Sequence, residues 1–176
     1  MAIATITSGA YRFVLLLHIL AVIVGFGTVF LNPIYGLAVK RRQGPEGLAI
    51  TEEVEHVGRI AEFIIYAVPI FGVALVGLSD KAAQLSDTWV WLSLLLYVVG
   101  VGLSHAILLP NIKRMIVLQR ELVSGGPPPA GAGGPPPQVA ELERRGMQNG
   151  QVALALNVLL IVIVFLMVFK PGGPKF

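Results

Sequence analysis

The chain has 176 residues, 55% hydrophobic and only 13% charged, with no cysteine, a formal net charge of +3 and a mean hydropathy of +0.78. A soluble domain carries roughly a quarter charged residues, so these totals exclude a soluble enzyme and leave a small polytopic membrane protein. The missing cysteines exclude a disulfide framework, a thiolate metal site and thiol catalysis, and 13 Lys+Arg against 10 Asp+Glu give no footing for nucleic-acid binding.

A membrane-crossing helix needs about 20 mostly apolar residues to traverse roughly 30 Å of hydrocarbon. Four stretches qualify, at about residues 11–39, 57–78, 88–110 and 151–169. The first stops at Lys40-Arg41-Arg42. Its apolar run is longer than the 7–15 residues of a signal-peptide core and lacks a small-residue cleavage site, so it is read as a retained span. The first connection, ITEEVEHVGRIAEF, opens with a Thr followed by acids and predicts a helix leading into span two. The short connection at 79–87 makes spans two and three an antiparallel hairpin. The third connection contains GGPPPAGAGGPPP and predicts a flexible or polyproline-like linker at about 124–138, because such a tract cannot bury enough surface to fold alone. QREL before it and QVAELERRG after it read as helical extensions of spans three and four. Unpaired backbone groups in lipid are costly, so all four spans are helices.

Orientation follows from the basic residues. Lys40, Arg41, Arg42, Arg59, Lys113, Arg114, Arg120, Arg144 and Arg145 share one side, and Arg12, Lys81, Lys170 and Lys175 the other, which accounts for all 13. The four apolar spans predict an all-α, four-helix transmembrane bundle, and the excess puts both termini on the extracytoplasmic side. Trp89, Trp91 and Tyr11 are expected in an interfacial aromatic belt.

The informative residues are the few polar ones at depth, since ionisable groups in a bilayer are costly and mark function by default. They are His18, His105 and, nearer the surface, Glu62, with His56 just before span two. Gly25, Asn32, Ala21, Val22, Thr28 and Gly36 share a small, polar face of span one with His18. Ser93, Tyr97, Gly100 and Ser104 form a matching stripe on span three. Both stripes predict close helix packing. The competing functional reading is haem b held by neutral imidazoles. At 1.5 Å per residue, His18 and His105 differ in depth by roughly 16–20 Å, which disfavours one haem bridging them. Asn32, His105 and Asn157 fall at one level, with Glu62 and His56 closer to the surface; His105 and His56 are then the better-matched pair, and Tyr97 is the polar neighbour at the depth of His18. No His-Glu-x-x-His, phosphate loop, Gly-x-Ser-x-Gly or carboxylate pair within a span points to other chemistry.

The stretches LLHILAVIVGFGTVF, SHAILLPNIKRM and NVLLIVIVFLMVFKP resemble those of an uncharacterised family of small four-span bacterial integral membrane proteins, a domain of unknown function. That family is similar in layout to the copper-resistance CopD domain and the HemJ-type protoporphyrinogen oxidases. The resemblance covers the four spans, leaves out the linker and points to a bacterial inner membrane. It implies that His18 matches the first-helix histidine of haem-binding relatives, His105 a histidine near the cytoplasmic end of their third span, and Lys170 a lysine closing their last. Val24-Gly25 stand where an aromatic residue, typically Trp, follows that first histidine. Asn32-Pro33-Ile34-Tyr35 replace a Leu-Pro-Arg pattern of the HemJ type, and no Met or Cys cluster marks a copper site. Three functions are carried forward. The first is a non-catalytic accessory subunit packing against itself or other membrane subunits in a membrane complex such as a respiratory one. The others are a haem b-binding redox protein using His18, His56 or His105, and a small transporter or metal-uptake component.

Overall fold

The computed structural model describes residues 8–80, 82–126 and 134–172. Its regular elements are helical: α1 (Gly9–Arg41), α2 (Pro45–Leu78), α3 (Thr88–Leu103), a π turn (Ser104–Leu108), α4 (Leu109–Ser124) and α5 (Pro137–Phe169). The α3–π–α4 run is continuous, which gives four rods, each long and apolar enough to cross a membrane.

Local chemistry sets the ends. The Ser8 hydroxyl accepts the Tyr11 amide at 3.2 Å and caps α1, while Lys40 and Arg41 sit in its last turn, where positive charge complements the helix dipole. Pro45 opens α2 at a position whose amide needs no helical partner, and Pro137 opens α5 in the same way. Three helices outrun the predicted spans at one end. α2 starts at Pro45 rather than near 57, α4 continues to Ser124 rather than stopping near 110, and α5 starts at Pro137 rather than 151. Hydropathy marks only the apolar part of a helix. The polar extensions are held by ion pairs instead: Arg59 to Glu55 at 2.9 Å within α2, Arg120 to Glu52 at 2.7 Å between α4 and α2, and Arg145 to Glu141 at 2.8 Å within α5. Most of the Pro/Gly tract, residues 127–133, lies outside the described residues.

α1 runs along α2 as the closest-packed pair, α4 packs on α2 and α5, and α5 also contacts α1 and α3. α3 leans on α5 and hardly touches α2, so the bundle is splayed between those two rods. Part of the small stripe of α1 packs inside the chain, while Gly36 at its far end stays exposed. Ala21 and Gly25 are its buried residues, and a Cβ on Gly25 would stand 3.0 Å from Ile65 Cγ1 and 3.3 Å from the Ile65 amide nitrogen. Trp89 departs from the interfacial belt: it is buried with Val90 and Leu166, flanked by Val76, Ala83 and Met167. The returning end of α5 and the 79–87 turn cover the first turn of α3, and the Lys170 ammonium lies 5.6 Å from the Trp89 ring centroid. Trp91 remains exposed.

At the polar end a side-chain lattice ties α4 to α5. Arg145 Nη1 donates to Asn111 Oδ1 at 2.6 Å, and Asn111 Nδ2 donates to Gln148 Oε1 at 3.3 Å. Glu141, outside the apolar part of α5, accepts from Arg145 and lies 3.6 Å from Arg114 Nε. The Arg145 hydrogen bond, with the positive field of Arg114, holds the Glu141 carboxyl below its ordinary value of 4.5. A depressed native value means stability that is present above pH 4.5 and lost as pH falls through the native value. Thermal unfolding of the detergent-solubilised protein should therefore lose stability as pH drops below about 4.5, and Glu141→Gln should flatten that acid limb. An acid limb of unchanged slope in the variant would remove Glu141 from its cause.

Candidate functional site

Glu62 and Tyr66 lie four residues apart on α2 and so share one face. The Tyr66 hydroxyl donates to Glu62 Oε1. Across the splay, the π turn presents His105. Pro110 has no amide and its ring presses on the carbonyl four residues back, that of Ala106. The ladder answers by widening, and the Leu109 amide donates to the Ser104 carbonyl five residues back. π turns inside α-helices are rare and concentrate at functional sites.

His105 Nδ1 donates to the Val101 carbonyl at 3.0 Å, which fixes the tautomer. Its Nε2 lies 2.7 Å from Glu62 Oε1 and 2.8 Å from the Tyr66 hydroxyl, and the two rings stack with centroids 6.2 Å apart. With the Nδ1 proton committed to Val101, the Nε2 to Oε1 contact requires one more proton. It belongs either to an imidazolium facing a carboxylate or to a carboxylic acid facing an imidazole. Both forms are neutral as a pair, the arrangement a low-dielectric surround tolerates. The three side chains are not sealed in a helix seam: His105 is 44% exposed and Glu62 27%.

His18 forms a second polar point. Its Nδ1 donates to the Val68 carbonyl at 3.0 Å, while Nε2 enters no hydrogen bond among the described residues. Gly72 leaves room for the ring, since a Cβ there would stand 3.3 Å from His18 Cε1. Pro69 removes the amide that the Ile65 carbonyl would have accepted, and the Tyr97 hydroxyl donates to that carbonyl at 3.3 Å. The carbonyl that Pro69 leaves unpaired is thus satisfied from α3.

Two open-sided cavities follow from the splay. The first, of about 390 Å³, reaches along α2 from Ala49 to Tyr66 and is lined by Asn32, Ser104 and the Glu62–Tyr66–His105 cluster. The second, of about 640 Å³, holds His18, Trp89 and Lys170 among mostly apolar walls. Phe26, Tyr97, Leu160 and Ile163 line both and partition them.

The structure therefore brings Glu62 within hydrogen-bond distance of His105. His18 bonds to Val68 and lies against Gly72, whereas His105 bonds to Glu62, six to ten positions earlier on the same helix, or roughly 9–15 Å along its axis. His56 stands exposed on the polar part of α2 and lines neither cavity, so it is not brought to His105. Gly25 serves packing, and Asn157 on α5 carries a buried Oδ1 without a partner. Tyr66 is the functional candidate the sequence reading missed; its position four residues after Glu62 was the available signal. Among the described residues no three His, Asp or Glu side chains cluster as a metal site.

Four rods, each long and apolar enough to cross a membrane, define a predicted integral membrane protein. Residues 12–171 match the DUF2269 family, described as predicted integral membrane proteins, and the chain belongs to that family. No curated protein and no solved structure matches the chain.

Proposed function

We propose that the protein is a haem b-binding membrane redox protein with His18 as the axial ligand, its basic loops on the cytoplasmic side of a bacterial inner membrane. The observation that supports this reading is the state of the His18 ring, with Nδ1 anchored on the Val68 carbonyl and Nε2 uncommitted in a cavity of about 640 Å³. A metal-bound histidine characteristically donates its other ring N–H to a carbonyl or carboxylate, and cofactor sites run from about 300 to 1,000 Å³. The residues present fit the group. Val68 sets the tautomer, Gly72 clears space for the ring, Leu15, Val22 and Val76 exclude water, and Lys170 brings to the same cavity the charge a propionate calls for. When bound, haem supplies one-electron transfer.

His105 suits the ligand role less, because its Nε2 is shared with Glu62 and Tyr66. An accessory-subunit role has less support, since Ala21 and Gly25 of the small stripe are buried and Gly25 already packs on Ile65 of α2. The test is an absorption spectrum of gently extracted protein, oxidised and then dithionite-reduced. A Soret band that shifts on reduction, with resolved α and β bands, is expected; a featureless spectrum overturns the reading.

A further inference from the structure

We propose that the Glu62–Tyr66–His105 cluster is a binding site for the head group of a neutral, membrane-dissolved quinol. Three features converge on that class, and none depends on whether His18 holds haem.

The first is the polar inventory. The cluster offers a phenolic O–H that can turn from Glu62 to a ligand carbonyl, a carboxylate oxygen that can accept a ligand hydroxyl, and an imidazole that does either according to where the shared proton sits. A hydroxyl–carbonyl ring system that exchanges protons on changing between its two forms uses all three capacities.

Charge is the second feature. Because Glu62 and His105 hold one proton between them and are neutral as a pair, the cluster has no net charge with which to hold a small ion or an ionic lipid head in hydrocarbon. Among the described residues no metal-binding cluster exists either. A neutral head group is the species that loses least on leaving lipid for this site.

Access is the third. The cavity of about 390 Å³ is open-sided and lined from both α2 and α3, its walls are mostly apolar apart from Asn32 and the polar-end carboxylates Glu53 and Glu55 (the latter paired with Arg59), and the cluster faces it with Tyr66 38% exposed. A lipid-dissolved ligand therefore reaches the cluster laterally, with its tail against Phe26, Ile65 and Leu108. The widened turn before Pro110 carries His105, whose ring meets Glu62 of α2.

The experiment uses the full chain in nanodiscs with decylubiquinol as the probe and empty nanodiscs as the background. Saturable uptake above background is expected. Tyr66→Phe and Glu62→Gln should each weaken it at least tenfold while leaving the far-UV circular dichroism of the bundle unchanged. The spectrum of any haem at His18 should stay as in the unmodified protein, which separates failure of this site from failure of the haem reading. Absence of saturable uptake overturns the proposal. So does unchanged affinity in both variants, or equal competition by n-decanol, which shares the hydroxyl and the tail but not the ring.

Discussion

Replacing His18 with alanine should strip the purified protein of essentially all its haem, whereas His56→Ala should leave the pigment in place. The contrast rests on geometry. His18 is held by one bond from Nδ1 to the Val68 carbonyl, with its ring over Gly72 and Nε2 left for a ligand in the larger cavity. His18 is the residue that would hold the haem, so deleting it removes that anchor. The fold should survive, because a net intramolecular hydrogen bond contributes only about 0.5–1.5 kcal/mol, and α1 remains held to α2 by the Gly25–Ile65 approach. Pigment loss in a variant of unchanged helicity is therefore the specific result. His105→Gln, by contrast, should retain most pigment, since Nε2 of that ring already serves Glu62 and Tyr66. Reduced-minus-oxidised difference spectra on matched protein amounts check all three. Full pigment in His18→Ala, or its loss in His105→Gln alone, would transfer the ligand role to His105.

The four apolar rods were legible in the sequence because a bilayer imposes one length and one composition on whatever crosses it. Residues 11–39 and 57–78 fall inside α1 and α2, and the hairpin at 79–87 is where the chain turns. What hydropathy did not show is how far a helix continues once it leaves lipid. QREL and QVAELERRG read as helical extensions and lie in α4 and α5; the pairs that Arg120 makes with Glu52 and Arg145 with Glu141 were not legible. His18, Glu62 and His105 themselves were legible, because ionisable residues are so rare inside an apolar span. The role of Tyr66 was not, since a tyrosine in such a span is unremarkable until a partner is seen beside it. The π turn was equally hidden: Pro110 announced a disturbance, but the sequence does not say whether a helix meets a proline by kinking or by widening. Trp89 shows the reverse error. An aromatic at a span's end reads as interfacial, and only the return of Leu166 on α5 buries it.

Gly47→Ala should destabilise the bundle although it exchanges glycine for the best helix former. Gly47 lies in the first turn of α2, and a Cβ there would collide with the Arg42 carbonyl oxygen and come within 3.5 Å of the Val39 carbonyl oxygen. Both obstacles are backbone atoms in or beside the last turn of α1, so no rotamer change relieves them. The connection is also short of slack: Arg42 donates its amide to Ala38, Leu48 donates to Gly44, and Gly44 holds a φ of 72° that favours glycine. Two terms oppose each other. Glycine to alanine within a helix gains about 0.5–1 kcal/mol, whereas forcing atoms into a filled space costs about 1–3 kcal/mol, towards the upper end where only the backbone can yield. The net expectation is a loss of about 1–2 kcal/mol. Gly58→Ala on the same helix supplies the opposite sign, because nothing stands within 4 Å of a Cβ built there; it should gain about 0.5–1 kcal/mol. Unfolding of the two variants side by side in detergent decides the matter, and equal midpoints would show that the α1–α2 turn has slack the geometry denies it. Opening that turn would also be felt at a distance. The Gly25–Ile65 approach and the His18–Val68 bond both lie along the α1–α2 seam that the turn closes, so Gly47→Ala should weaken whatever His18 holds without touching the second cavity itself.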